Sequence, residues 1–330
     1  MKAIQCRIYG PPEDLVLAEV DAPLIAAGQV RINIEYCSVN FPDALMIQGQ
    51  HQYKYAVPFI PGGEISGTVS EVGEGAEQFR VGDRVAALCF HGGFSQQAVV
   101  PAARVCKLPA GAAMPEACCL IGTYGTAIHA LAQRATLNAG ETLLILGAAG
   151  GSGAAAVQIG KLMGARVIAA VGSEEKKAFA LKCGADLAIN YAAAPFKEAL
   201  RALVGAQGVD VVYDPVGGEH AETALRAMAW NGRYLVVGFA SGVIPAFKAN
   251  LPLLKGCAIL GVFTGEFIAR EADKAAANTR QLLRWVGDAS LKAAVSEIVP
   301  LAQAPAALRK LLNREAMGKI VVAVPQYPAE

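Results

Sequence analysis

The chain has 330 residues, enough for two domains or one large one, and enough to bury a core without disulfide or metal staples. Its 29 Lys and Arg side chains balance 28 Asp and Glu side chains, and this net charge of +1 argues against binding to nucleic acid or acidic lipid. The apolar run at 142–160 is rich in glycine, which disfavours a membrane-spanning helix, and no signal peptide follows Met1. We therefore expect a cytoplasmic protein without membrane contact, in which the eight scattered cysteines are reduced.

Short strands separated by glycine and proline fill the region up to residue 120. The alternation of apolar and polar residues over 29–36 predicts a half-buried strand. Further strands are predicted at 62–72, 83–88 and 93–100, with a turn at 73–75 after the first of these. This region is therefore predicted to be all-β and to form a partly closed barrel.

From residue 139 onward, continuous apolar runs alternate with helical stretches rich in alanine and leucine. Such runs are typical of parallel strands buried on both faces, and their alternation with helices predicts a doubly wound parallel sheet. We place the strands of this sheet at 142–146, 166–171, 187–190, 209–213, 234–237 and 258–262. Beyond the sheet, the sequence predicts a helix at 271–285, a mostly helical stretch at 301–313 and a strand at 319–324 that returns to the first domain.

A glycine-rich loop, GAAGGSG at 147–153, connects the first parallel strand to an alanine-rich helix. Glycines at this point let the backbone turn sharply and approach a pyrophosphate closely, and the helix N-terminus offers N–H groups to the phosphates. The alternative is a tight packing turn between strand and helix that binds no ligand. The buried strand before the loop and the strand–helix alternation after it favour dinucleotide binding.

The segment 140–161, GETLLILGAAGGSGAAAVQIGK, resembles the signature of the quinone oxidoreductase and zeta-crystallin family, which is zinc-independent within the medium-chain dehydrogenase/reductase superfamily. The resemblance extends along the chain through segments in family order: NFPD at 40–43, PGGE at 61–64, VGDRV at 81–85, TYGT at 123–126, DPVGG at 214–218 and GKIV at 318–321. It implies an α/β fold with a GroES-like β-barrel domain, residues 1–122 and 266–330. The barrel is joined to a Rossmann domain with a doubly wound parallel sheet, residues 123–265.

The second parallel strand ends in AVGS at 170–173, without the carboxylate that binds the ribose 2′-hydroxyl in NAD enzymes. Small residues leave room there for a 2′-phosphate, and Lys176 follows as a cation for charge-assisted hydrogen bonds, although a solvated helix face is the alternative for this lysine. We interpret Glu174 and Glu175 as first-turn helix residues. The resemblance implies NADPH as the cofactor, with a phosphate pocket formed by Ser173, Lys176, Tyr191 and Lys319. It places further cofactor contacts at Thr126, Gly147, Ala149, Gly150, Gly151, Ser152, Gly153, Gly172, Gly238, Phe239, Val262 and Phe263.

No metal site is predicted. Zinc enzymes of the superfamily hold their catalytic metal with cysteine and histidine, and at the matching positions this chain has Asn40 and Gly63. Without a Lewis acid the hydride acceptor has to be electron-poor, so we expect a quinone or another conjugated carbonyl.

Four residues are predicted at the reacting centre. Asn40 and Asp43 are expected to orient the acceptor or the nicotinamide ribose, and Thr123 to line the nicotinamide side. The alternative for Asn40-x-x-Asp43 is a helix cap. The family's active-site tyrosine follows this segment; we assign Tyr53, while His51 and Tyr55 remain alternatives for the residue that lines the pocket.

The expected activity is an NADPH-dependent quinone reductase. A 2-enoyl-CoA or enone reductase is the alternative within the same fold, and a non-catalytic NADPH-binding protein, structural or RNA-binding, is the alternative outside enzymes. An apolar edge strand is often covered by a second copy of the chain, so the last strand of the parallel sheet predicts a homodimer.

Overall fold

The computed structural model describes residues 1–325. The chain divides into two compact units, Met1–Gly122 with the segment from Gln281 onward, and Thr123–Arg280. The second unit therefore ends at residue 280, whereas the sequence analysis ended the corresponding domain at residue 265.

The part of the first unit before residue 123 consists of strands with two short α-helices and two 3-10 turns, Pro12–Asp14 and Ala102–Arg104. Its strands are β1 Lys2–Gln5, β2 Val16–Glu19, β3 Gln29–Ser38, β4 Glu64–Val72, β5 Arg84–Leu88, β6 Gln97–Pro101 and β7 Val105–Lys107, and its helices are α1 Phe41–Ile47 and α2 Met114–Ala117.

The second unit alternates strand and helix after an opening helical stretch. This stretch includes the π-helical turn His129–Arg134 and the end of the turn Leu120–Tyr124, which begins in the first unit. Its elements are α3 Gly125–Ile128, β8 Thr142–Leu146, α4 Gly151–Leu162, β9 Arg166–Val171, α5 Glu174–Lys182, β10 Leu187–Asn190, α6 Phe196–Val204, β11 Val209–Asp214, α7 His220–Arg226, β12 Met228–Val236, α8 Asn250–Lys255, β13 Ala258–Gly261 and α9 Thr264–Arg270. The long helix α10, Ala272–Gly287, includes the division at residue 280, and β14 Val295–Pro300, α11 Ala304–Leu312 and β15 Lys319–Ala323 follow.

The first unit holds a two-stranded sheet of β1 and β2 and a larger sheet that is built from both ends of the chain. Its strands lie in the order β14-β15-β3-β4-β5-β7, with β6 also paired to β3. All of these pairs are antiparallel except β14 with β15. Along β3 the buried residues Val30, Ile32 and Ile34 alternate with half-buried ones, so that one face of this strand enters the core.

The sheet of the second unit is parallel throughout, in the order β10-β9-β8-β11-β12-β13. Its central strand β8 is apolar and buried over Leu143–Leu146 because helices cover both faces of a parallel sheet. The strand order reverses between β8 and β11, and ligands of such sheets bind at the carboxyl ends of the strands at this point.

Most of the predicted strands have the expected bounds within two residues, and two differ more. β6 begins at Gln97 rather than at Gly93, because Gly93 and Phe94 donate their N–H groups to the carbonyls of the 61–62 turn. β12 begins at Met228, six residues before the predicted start at 234, and continues past Gly232. Within residues 1–325 no helix is both long and apolar enough to cross a bilayer.

Candidate active site

The loop between β8 and α4 turns where the sequence places its glycines. Gly147 has a φ of +61°, a conformation that residues with a Cβ rarely adopt. At Gly153 a Cβ would lie 2.3 Å from the carbonyl oxygen of Gly147 and 2.7 Å from Cα of Ala148. The first turn of α4 can therefore pack against the end of β8 only with glycine at position 153.

Two side-chain hydrogen bonds join α4, which follows this loop, to neighbouring elements of the second unit. The hydroxyls of Ser152 and Tyr213 lie 2.7 Å apart, and Tyr213 is fully buried on β11, where burial raises the pKa of its phenol. The hydroxyl of the buried Tyr124 donates to Oε1 of Gln158 on α4 at 2.5 Å. Gln158, part of the signature segment, thus connects α4 to the predicted TYGT segment.

At the carboxyl end of β9 the chain passes directly into α5. Oγ of Ser173 accepts the backbone N–H of Lys176 at 3.1 Å, so that Ser173 caps this helix. The carboxylate of Glu174 accepts a hydrogen bond from Nδ2 of Asn190 at 2.8 Å and lies 3.6 Å from Nζ of Lys177. The hydrogen bond from Asn190, followed by the charge of Lys177, lowers the pKa of Glu174.

Three other strand ends carry the remaining predicted cofactor residues of this unit. Tyr191 follows β10, the pair Gly238 and Phe239 follows β12, and the pair Val262 and Phe263 follows β13. The carboxyl ends of parallel strands meet at one edge of a sheet, and this edge therefore brings these residues to the same side as the glycine loop.

A pair of threonines joins two further segments at this edge. Oγ1 of Thr264, which directly follows Phe263, donates to Oγ1 of Thr126 at 3.0 Å. Thr123 is buried in the π-helical turn three residues earlier, and π-helical turns are frequent at functional sites.

In the first unit a buried polar network surrounds Asn40. Nζ of Lys319 donates to Oδ1 of Asn40 at 2.6 Å and to the carbonyl oxygen of Val39 at 2.9 Å, and Lys319 is buried. Nδ2 of Asn40 faces the carbonyl and hydroxyl oxygens of Ser38 and, at 3.3 Å, Oε2 of Glu64. The amide of Asn40 is therefore fixed, with its oxygen towards the ammonium and its nitrogen towards the carboxylate.

Glu64 is the second charged member of this network. Oε1 accepts the backbone N–H of Gly122 at 2.7 Å, and Oε2 accepts the hydroxyl of Ser38 at 3.2 Å. A buried carboxylate is stable only when it is hydrogen-bonded and has a cation nearby, and the cation of this network is Lys319, which donates to the same amide that donates to Glu64.

Asp43 closes the first turn of α1. Its Oδ2 accepts the backbone N–H of Asn40 at 2.8 Å, as expected for a capping residue. Burial raises the pKa of Asp43 to about 7, against the opposing effects of the Asn40 N–H group and of Lys319. The cap that the sequence left as an alternative is thus present, while a catalytic role for Asp43 stays a prediction.

The three aromatic candidates after α1 lie in different surroundings. Tyr53 is 38% exposed, and its backbone N–H donates to Nδ1 of the buried His51 at 3.2 Å. Tyr55 is half-buried, with its ring 4.3 Å from that of His91 and 5.8 Å from that of Phe59. The assignment of Tyr53 stays a prediction.

Asn40 and Gly63, at the positions that match the zinc ligands of other enzymes in the superfamily, do not fit a zinc ion. A cation, the ammonium of Lys319, already lies 2.6 Å from Oδ1 of Asn40. At Gly63 even a Cβ would lie 3.0 Å from the carbonyl oxygen of Phe90, so a histidine there would require the backbone to move. Among residues 1–325 no three His, Cys, Asp or Glu side chains are grouped so that they could hold a metal.

The structure thus brings the predicted cofactor residues of the second unit to one sheet edge. Lys319 lies in the first unit, where its ammonium donates to Asn40 and to the carbonyl oxygen of Val39, and its place in the phosphate pocket stays a prediction. Glu64 and Ser38 were missed as members of the Asn40 network. A single carboxylate at the start of the buried strand β4 was the signal for Glu64, whereas Ser38 gave none.

Asp214 was also missed. It is buried at the end of β11, where Oδ1 accepts the N–H groups of Val216 and Gly217 at 2.8 Å and Oδ2 accepts the hydroxyl of Tyr234 at 2.6 Å. An Asp followed by Pro and two glycines is a turn signal that predicts these backbone contacts.

Comparisons with known proteins cover nearly the whole chain. Residues 26–110 match the family described as "Alcohol dehydrogenase GroES-like domain", and residues 151–284 match the family described as "Zinc-binding dehydrogenase". "Quinone oxidoreductase-like protein 2" of Bos taurus is 35% identical over 311 residues, which cover 94% of this chain and 89% of the relative.

Two solved structures are similar over the same extent. A probable oxidoreductase from Mycobacterium abscessus has a TM-score of 0.89 and 36% identity, covering 98% of each chain. The quinone oxidoreductase of Escherichia coli, solved in complex with NADPH, has a TM-score of 0.89 and 26% identity, covering 98% of this chain and 100% of that one. These matches confirm the predicted α/β fold class, with a GroES-like domain and a Rossmann-type parallel sheet.

Proposed function

Because this chain belongs to the quinone oxidoreductase family of the medium-chain dehydrogenase/reductase superfamily and is an oxidoreductase, we propose that it transfers a hydride from NADPH to a quinone or another conjugated carbonyl, without a metal. The observation that carries the proposal is the loop of the second unit. Gly153 packs directly on the backbone of Gly147, and the loop opens at the carboxyl edge of the sheet where dinucleotides bind.

The preference for NADPH over NADH rests on the end of β9. Gly172 and Ser173 offer no carboxylate there, and Lys176 follows in the first turn of α5. The nearest carboxylate in sequence, that of Glu174, accepts a hydrogen bond from Asn190 and lies beside Lys177. A dianionic 2′-phosphate would therefore meet a cation rather than an unpaired carboxylate.

The amide of Asn40 is held in one orientation, so we propose that it helps to orient the acceptor and does not protonate it. Two N–H hydrogens on Nδ2 face three oxygens of Ser38 and Glu64, so this amide is not a proton source. NADPH supplies the hydride when bound, and a conjugated carbonyl delocalises the incoming charge until water or a donor protonates it. This assigns Asn40 a positioning role, with Lys319 holding its orientation.

A 2-enoyl-CoA or enone reductase is the second candidate, since it shares the fold and the hydride donor. Purified protein would be given NADPH with 1,2-naphthoquinone and, side by side, with crotonyl-CoA, and NADPH oxidation followed by its absorbance. We expect faster turnover of the quinone. Faster turnover of the thioester would favour the second candidate, and tight NADPH binding without oxidation by any acceptor would refute the enzyme proposal. The variant Gly153→Ala, which disturbs the loop, controls for oxidation outside the site.

We also propose a homodimer formed through β13. This strand lies at the edge of the six-stranded sheet, and within residues 1–325 it pairs with β12 alone. Ile259 on β13 is 36% exposed, and the apolar side chains of Trp230 and Leu254 are exposed in the same unit. Ile259→Asp should shift the mass measured by light scattering to that of a monomer, while Leu24→Asp, at a 91% exposed site of the first unit, should leave it unchanged. A monomeric wild type would refute the proposal.

A further inference from the structure

Three aromatic rings cluster beside the end of β9. Tyr191 follows β10, Phe196 begins α6 and His220 begins α7. The ring centroids of Tyr191 and His220 are 4.3 Å apart with an interplanar angle of 48°, and those of Phe196 and His220 are 5.1 Å apart. Phe196 is 6% exposed, so it anchors the cluster to the core of the unit, while the other two rings are half-buried.

The ring of Tyr191 covers the tip of β9. A Cβ on Gly172 would lie 3.2 Å from Cε2 of Tyr191 and 3.3 Å from its hydroxyl oxygen. The tip of the second strand is where Rossmann-type sheets bind the 2′ substituent of the adenosine ribose. The hydroxyl of Tyr191 is therefore held at the place where NADPH and NADH differ.

We propose that His220 is a positioning residue for cofactor selection: its ring packs against Tyr191 and holds the tyrosine hydroxyl over Gly172, where that hydroxyl donates to the 2′-phosphate of NADPH. This inference rests on the proposed NADPH-dependent function. His220 acts through Tyr191 and does not itself bind the phosphate.

Ring packing, rather than charge, is the effect that the surroundings of His220 support. Its Nε2 lies 3.8 Å from Oε1 of Glu219, and the side chain of Glu219 is 88% exposed. An interaction with so exposed a carboxylate is largely screened by water. The contacts with Tyr191 and Phe196 are those of tilted ring pairs, with interplanar angles of 48° and 57°, and a phenyl ring could make the same contacts.

The test is the affinity of the full-length protein for NADPH and for NADH, measured by the fluorescence of the reduced nicotinamide. Tyr191→Phe should weaken NADPH binding roughly tenfold or more, as expected for the loss of a hydrogen bond to a charged group. His220→Ala should weaken it roughly two- to tenfold, the range set by aromatic pair energies. Both variants should bind NADH as the wild type does, because NADH has no 2′-phosphate.

Two further variants separate positioning from direct contact. His220→Phe keeps the ring without its nitrogens, and it should restore the wild-type preference for NADPH. The double variant His220→Ala with Tyr191→Phe should bind NADPH no more weakly than Tyr191→Phe alone. Full additivity in the double variant, or a His220→Phe protein as weak as His220→Ala, would overturn the inference.

Failure of this inference is distinguishable from failure of the proposed function. A wild type that binds both dinucleotides equally, or neither, contradicts the proposed NADPH dependence before any variant is considered. A wild type that prefers NADPH, together with a His220→Ala variant whose preference is as large as that of the wild type, overturns the role of His220 alone. Arg201→Ala, at an exposed position of α6 outside the ring cluster, is the control for an unspecific effect of a substitution in this unit.

Discussion

Replacing Gly153 by alanine should both loosen the second unit and weaken NADPH binding. The new Cβ would lie 2.3 Å from the carbonyl oxygen of Gly147 and 2.7 Å from Cα of Ala148, about 1 Å or more inside ordinary contact distance. Both opposing atoms belong to the backbone, so the helix start or the loop has to move. Overpacking of this kind costs about 1–3 kcal/mol. At roughly 2–4 °C for each kcal/mol, the midpoint of thermal unfolding of the ligand-free protein should fall measurably.

Gly150→Ala is the matched control in the same loop. A Cβ added at Gly150 would meet only the carbonyl oxygen of Gly147, at 3.5 Å. Gly150 is the N-cap of α4, and we expect the free energy of unfolding of the ligand-free variant to fall by less than about 1 kcal/mol. Its methyl group projects into the open side of the loop and should weaken NADPH binding all the same. Equal unfolding midpoints for the two ligand-free variants would refute the packing argument. Unchanged NADPH affinity of Gly150→Ala would refute the close approach of a pyrophosphate.

Lys319→Met removes the buried cation that holds Asn40, and it should lower the free energy of unfolding measured in urea by about 3–5 kcal/mol. The control Lys310→Met breaks the half-exposed ion pair with Glu297 and should lower the same free energy by less than about 1 kcal/mol. Equal losses would contradict the buried ion network. Because burial raises the pKa of Asp43 to about 7, above the value of about 3.9 in the unfolded chain, its stabilising contribution is complete below about pH 4 and is lost as the pH rises towards 7. Asp43→Asn should therefore gain stability relative to the wild type between about pH 5 and pH 7 in urea titrations, and parallel pH profiles would contradict the shifted pKa. Dialysis against a chelator should leave NADPH oxidation unchanged; an activity lost in this way and restored by zinc would contradict metal independence.

Much of the fold was predictable because its signals are local. The parallel sheet is indicated by the apolar runs of β8 and β9, and its ligand-binding edge by the glycines at 147–153. Each of these signals consists of a few consecutive residues. The start of β6 was not predictable in this way. It depends on hydrogen bonds from Gly93 and Phe94 to the distant 61–62 turn.

The candidate site likewise has a part that local motifs predict and a part that depends on contacts distant in sequence. The glycine loop and the strand tip at Gly172 were predicted from short motifs, but the partners of Asn40 were not. Lys319 is 279 residues from Asn40 in the chain, and nothing in its own sequence neighbourhood indicates that it is buried. Pairings of this kind are set by the sheet register that joins β15 to β3, which no local pattern encodes.

The position of β15 within the first sheet also affects the order in which the protein is completed during synthesis. The edge of β3 at 36–38 pairs with 321–323, so that edge stays open while the whole of the second unit emerges from the ribosome. The second unit, contiguous in the chain, can fold before the first one closes. The ammonium that orients Asn40 arrives on the same late strand, and the first unit therefore acquires its final sheet pairing and its buried cation in one step.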